Sequence, residues 1–145
     1  MGATSTQNTK LFRSTDSGTT WLAITDLTSV GYPDGDTSEI DATVLSSTAF
    51  EYILGLKDNG SLNFGINVNF TDTQHIALQA DNGVNTARSY RVEYPERGAV
   101  TVTSVEFSGF LMSFTGDNPV NDKQAFTGTV RITGAVTIVN GDTAE

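Results

Sequence analysis

The sequence predicts a mainly β protein, a β-sandwich or barrel with one short flanking α-helix. Three observations carry that prediction. In "SLNFGINVNF", Leu62, Phe64, Ile66, Val68 and Phe70 alternate with polar or glycine positions, the period of a strand with one buried face. Thr, Ser and Gly are plentiful, and aromatic and β-branched residues recur along the chain, a composition that favours strands over disorder. Turn signals separate the apolar runs: Asp16-Ser17-Gly18, Pro33-Asp34-Gly35-Asp36 and Lys57-Asp58-Asn59-Gly60.

Taken in order, residues 1–8 are small and polar and read as a flexible arm. Lys10 to Ser14 and Thr20 to Thr25 read as strands joined by a turn in which Asp16 bonds nearby amides and Gly18 supplies positive φ. Leu27 to Tyr32 is weakly extended, and beyond Asp36 the residues Ile40, Ala42 and Val44 alternate with polar ones. The whole segment 27–54 has little periodicity and is too long for an ordinary hairpin loop.

A helix follows the clearest strand. Thr71 is a candidate N-cap, Gln74 stands three positions later as in a capping box, and Gly83 falls where a helix stops. Ile76 and Ala80, four residues apart, read as its buried side. Strands resume with Tyr90, Val92 and Tyr94, then "AVTVTSVEFSGFLMSFTG" and "AFTGTVRITGAVTIV", where Phe126, Val130, Ile132, Val136 and Ile138 line one face. Gly116 to Asp122 reads as a loop and Asn140 to Glu145 as a tail. The chain thus reads as a single domain over 1–145, without internal repeats.

Charge excludes several functions. The net charge is −9, and no Lys or Arg stands between Arg13 and Lys57, while Asp16, Asp26, Asp34, Asp36, Glu39, Asp41 and Glu51 do. Binding nucleic acid requires clustered cations that displace counterions from phosphates, and this span would repel DNA. Cysteine is absent, which removes disulfides, zinc–thiolate sites and cysteine nucleophiles. No apolar run reaches the roughly 20 residues of a membrane helix. The N-terminus lacks the apolar stretch of a secretion signal, so the chain is expected to be soluble and to fold in a cytoplasm.

Four motifs invite chemistry. "STDSGTTW", Ser14 to Trp21, resembles the Asp-box hairpin of sialidase propellers, but one hairpin cannot make a propeller and the motif reads as a turn. "DGDTSEID" places Asp34, Asp36, Ser38 and Asp41 like calcium ligands, yet Glu39 stands where the loop needs glycine and no helix flanks it. His75, the lone histidine, falls on the predicted helix without a nucleophile elbow and reads as a surface or capping residue. Asn59-Gly60-Ser61 and Asn69-Phe70-Thr71 fit the glycosylation sequon and read as chance. No enzymatic site, cofactor or metal is expected.

From Lys10 to Val139 the order of elements resembles phage tail tube proteins, the major tail proteins of long-tailed bacteriophages. The likeness rests on "TKLFRSTDSGTTWLAI", "EYILGLKDNGSLNFGINVNFTDTQHIAL", "YRVEYP" and "FSGFLMSFTGDNPVNDKQAFTGTVRITGAV". The resemblance implies a structural virion protein: hexameric rings stacked into a tail tube, assembled in the host bacterial cytoplasm and conducting DNA at ejection without binding it. Its partners would be further copies, the tail terminator, the tape measure and tail-tip proteins, with no membrane insertion. On this reading 27–54 is an acidic assembly loop, and Asp34, Asp36, Glu39 and Asp41 face a neighbouring subunit or the lumen. Two alternatives accompany it. A decoration or tail-terminator protein would close as a trimer or single ring. A β-sandwich glycan-binding module would expose grouped aromatics, whereas Phe64, Phe70 and Phe126 alternate with aliphatic neighbours as core residues do.

Overall fold

The computed structural model describes residues 8–97, 100–117 and 123–145. The expected arm over 1–8 and the loop over 116–122 therefore fall largely outside the described residues. Strands β1 (Lys10–Ser14), β2 (Leu22–Ala23), β3 (Leu27–Val30), β4 (Asp36–Asp41), β5 (Tyr52–Asp58) and β6 (Ser61–Asn67) precede helix α1 (Thr73–Asp81). After it come β7 (Arg88–Pro95) and two long strands, β8 (Val102–Asp117) and β9 (Ala125–Asp142). Seven strands make one antiparallel sheet, in the order β2-β1-β7-β8-β9-β6-β3, curled into a half-barrel. The pair β4–β5 stands apart as a hairpin of its own.

Period-two patterning builds the core. Leu62, Phe64 and Ile66 of β6 meet Tyr90 and Val92 of β7, Val105, Leu111 and Phe114 of β8, and Val130 and Ile132 of β9, all buried. Each such side chain contributes about 1.5–3 kcal/mol by leaving water. β6 stops at Asn67, so Phe70 lies beyond the strand, exposed and edge-on to Phe126. On β9 the buried row ends at Ile132. Residues 134–136 stand opposite Phe107 alone and break the ladder, leaving Val136 half-buried and Ile138 exposed rather than in the core.

The helix presents a different face from the one its apolar residues suggest. Ile76 and Ala80 are exposed, and His75, Leu78 and Asp81 are buried. Its N-cap is Asp72, whose Oδ1 accepts from the Gln74 amide at 2.8 Å, while Thr71 belongs to the preceding turn and donates to Asn69 Oδ1. His75 is therefore neither a surface nor a capping residue. Its Nδ1 accepts from the Asn69 amide at 2.9 Å, so Nε2 carries the proton and donates to the Thr25 carbonyl at 2.8 Å. Asp81 is matched by Arg13 of β1, whose Nη2 lies 2.5 Å from Asp81 Oδ2.

β7 is buried on both faces. Its outward residues Arg91 and Glu93 are covered because the chain's last residues fold over them. Arg91 donates to Glu93 at 3.0 Å, to Glu106 at 2.5 Å and to the Thr143 carbonyl at 3.0 Å, and Glu93 accepts the Glu145 amide at 2.7 Å. The expected tail from Asn140 is thus strand through Asp142 and then a segment pinned to β7.

Candidate assembly surface

The segment 27–54, read from sequence as one long loop, contains β3, β4 and the start of β5. β4 and β5 pair Asp41 with Tyr52, Ile40 with Ile53 and Glu39 with Leu54. One face of the hairpin therefore carries Tyr52, Leu54 and Leu56 beside Glu39 and Asp41, and the other carries Ile40 and Ile53. All these apolar side chains are exposed, Leu54 at 77% and Leu56 at 93%. A two-stranded hairpin is marginal alone in water, and this one leaves both faces unburied. The missed signal was the unbroken run Tyr52-Ile53-Leu54-Gly55-Leu56, which is how a strand covered on both sides reads.

Beyond the strands, residues 42–51 form a hydrogen-bonded tip. The Ala42 amide donates to the Glu51 carbonyl at 2.8 Å, the Ser47 amide to the Val44 carbonyl at 2.9 Å, and the Glu51 amide to Thr43 Oγ1 at 2.9 Å. Ser47 Oγ donates to the Glu51 carboxylate. The tip is ordered, yet Val44, Leu45 and Phe50 project into solvent.

The four candidate acids all lie on this hairpin or the turn into it, and all are exposed. Asp34 Oδ1 accepts the Ser61 amide at 2.7 Å and ties the hairpin's base to β6. Asp36 opens β4, and its Oδ1 accepts the Thr37 amide at 2.8 Å. Glu39 shares its face with Leu54, and Asp41 with Tyr52. The Thr43 hydroxyl, followed by its amide, holds the Asp41 carboxyl below the usual carboxylate range. Among the described residues no group of three or more His, Cys, Asp or Glu is arranged to hold a metal ion.

The Ser14–Trp21 motif forms a turn. Ser14 Oγ accepts from the Gly18 amide at 3.0 Å and donates to Asp16 Oδ1 at 2.6 Å; Asp16 Oδ1 also accepts the Thr20 amide at 2.8 Å. Gly18 has φ +88°, as the turn requires. Both sequon asparagines are hydrogen-bonded: Asn59 Nδ2 donates to the Gly134 carbonyl across the sheet and Asn69 Oδ1 accepts from Thr71 within its turn.

A family model described as lambda-like phage tail tube matches residues 2–95, well over half the chain. The chain belongs to the lambda-like phage tail tube family. That makes it a structural tail protein. Its fold is similar to a chain in the structure of an extracellular contractile injection system, "PVC sheath/tube terminator in extended state". The TM-score there is 0.71 at 11% identity, over 97% of this chain and 99% of that one. It is also similar to a chain of the anti-feeding prophage baseplate, described as 6-fold symmetrised, with TM-score 0.69, 9% identity and 96% of each chain covered. A chain of the anti-feeding prophage tube-terminating cap gives TM-score 0.68 at 14% identity, over 96% of this chain and 92% of that one. At such identities the likeness is one of fold. No curated protein matches by sequence. No helix among the described residues of this tail tube family member is long and apolar enough to cross a membrane.

Proposed function

We propose that the protein is a non-enzymatic subunit of hexameric rings that stack into a bacteriophage tail tube, through which DNA passes at ejection. The observation that carries this is the two-faced apolar hairpin in a chain of the tail tube family. Surfaces such as Tyr52–Leu56 are stable in water only when another molecule covers them, and a second copy is the one the family supplies. The acidic residues Asp34, Asp36, Glu39 and Asp41 form the rim of that contact or the wall of the bore. Either position suits them: a wall of carboxylates repels phosphate and lets DNA slide where a cationic wall would hold it. The partners in this reading are further copies along the tube, a terminator at one end, tail-tip proteins at the other and a tape measure within, assembled in the host cytoplasm. A tube terminator is the second reading, favoured by the likeness to a sheath/tube terminator across nearly the full length of both chains.

The test is negative-stain electron microscopy of the concentrated protein beside its size-exclusion profile. Hollow tubes with six-fold rings are expected. Single rings that never stack favour the terminator reading, and a discrete trimer or a glycan-binding monomer overturns both.

A further inference from the structure

The hairpin carries an ordered apolar tip at one end and, at its base, an apolar groove that the tip cannot reach. The tip exposes Leu45 fully and Phe50 at 77%, although its backbone is held by the bonds from Ala42, Ser47 and Glu51 described above. A fixed shape of this kind loses little entropy on docking. The groove, of about 260 Å³, lies where the base of the hairpin meets β9 and is lined by Tyr32, Pro33, Val136 and Ile138, with Lys57 beside them. Tyr32 is 56% exposed and Ile138 48%, so the groove is uncovered as well. β5 spans seven residues between the two, roughly 20 Å at strand rise, so tip and groove of one copy cannot meet.

The groove offers the acids of the tip one cation, Lys57, although the exposed Asp34 and Asp36 flank its lining residue Gly35. Asp41 and Glu51 flank the tip, and Lys57 is the first cation after Arg13 in the sequence. Its ammonium has no carboxylate partner among the described residues. The same acids disfavour an anionic lipid surface as the occupant. A contact that joins one surface to a different surface on the next identical copy propagates head to tail, and it yields a ring or a filament according to whether its rotation closes.

We propose that Leu45 and Phe50 at the hairpin tip of one copy seat in the Tyr32–Pro33–Val136–Ile138 groove of the next, with Glu51 or Asp41 against Lys57. This rests on the tail-tube reading and names the contact that would join its subunits. Because the chain has no cysteine, introduced ones are the only thiols. The double variant Phe50→Cys/Ile138→Cys, both sites exposed in the single chain, is oxidised mildly at the concentration used for microscopy and run without reductant. A ladder of covalent multimers is expected, with each single variant stopping at dimer or below, since a disulfide needs Cα atoms within about 7 Å. Phe50→Cys/Val136→Cys is the second pairing. Rings or tubes with no ladder from either pair overturn the tip-in-groove contact and leave the tail-tube reading intact. A ladder from a preparation that never forms hollow rings supports the contact and overturns the tube. Co-sedimentation with phosphatidylglycerol vesicles that Leu45→Asp abolishes, without a ladder, overturns the contact in favour of a lipid.

Discussion

The ring of Phe64 occupies the space over Gly128. The two residues pair across β6 and β9, and a Cβ added at Gly128 would stand 2.4 Å from Phe64 Cζ. Phe64 is 1% exposed and packs in the centre of the core, so it has little room to yield. Gly128→Ala is expected to destabilise the fold by about 1–3 kcal/mol, the usual cost of overpacking. Urea unfolding measures it; an unchanged midpoint would show that the ring can shift.

Arg13 and Asp81 form a buried pair, at 7% and 9% side-chain exposure, that locks β1 to the end of α1. Replacing one member strands the other in a poor dielectric, typically at about 3–5 kcal/mol. The two replacements should differ. Arg88 Nε also reaches Asp81 at 3.4 Å, so Arg13→Gln leaves the carboxylate a second cation, whereas Asp81→Asn leaves Arg13 without its carboxylate. Asp81→Asn is expected to cost more, as read from denaturation midpoints; equal costs would show that Arg88 does not compensate.

Acid should weaken the fold. Asp16 is lowered from 3.8 to about 2, first by the Ser14 hydroxyl and then by the Thr20 amide. Asp41, Asp58, Asp72, Glu96 and Asp142 move the same way, each held down first by a hydrogen bond it accepts. The unfolded chain binds these protons more readily than the folded one. Their contribution is therefore complete above about pH 4–5 and is lost as the pH falls towards 2. Urea midpoints should drop across that window, and the Asp16 carboxyl should titrate near 2 by NMR. A midpoint flat from pH 5 to 2 would contradict the assignment.

Leu54 and Leu56 share one hairpin face and touch little in the single chain. Leu54→Lys with Leu56→Lys should leave the fold within about 0.5 kcal/mol of the parent, as exposed substitutions do. Ring and tube formation should be abolished. Chemical denaturation and electron microscopy read the two effects separately, and normal tubes from the double variant would remove this face from assembly.

Much of the architecture was legible because it depends on neighbours along the chain. Alternation marked β6 and the hydrophobic positions of β7, and Asp16-Ser17-Gly18 marked a turn whose bonds all close within a few residues. The helix was legible in place but not in orientation. Nine residues whose apolar positions Ile76, Ala77, Leu78 and Ala80 spread around the helix do not choose a face when His75 can satisfy both ring nitrogens on Asn69 and Thr25 and Asp81 can meet Arg13.

The assembly hairpin shows the same division more sharply. Its acids and its turn at Pro33–Asp36 were plain in the sequence; the strand in the run from Tyr52 to Leu56 was not, because 27–54 read as one long loop. Nor was it plain that the run is uncovered, because an unbroken apolar strand reads alike whether its own chain or another buries it. Likewise Arg91 and Glu93 alternate outward as solvent-facing residues should, and only the return of Thr143 and Glu145 over β7 encloses them. Local chemistry along the chain sets where strands, turns and the helix fall. Which faces are buried depends on groups up to 68 residues apart, as Arg13 and Asp81 are, brought together only when the chain folds.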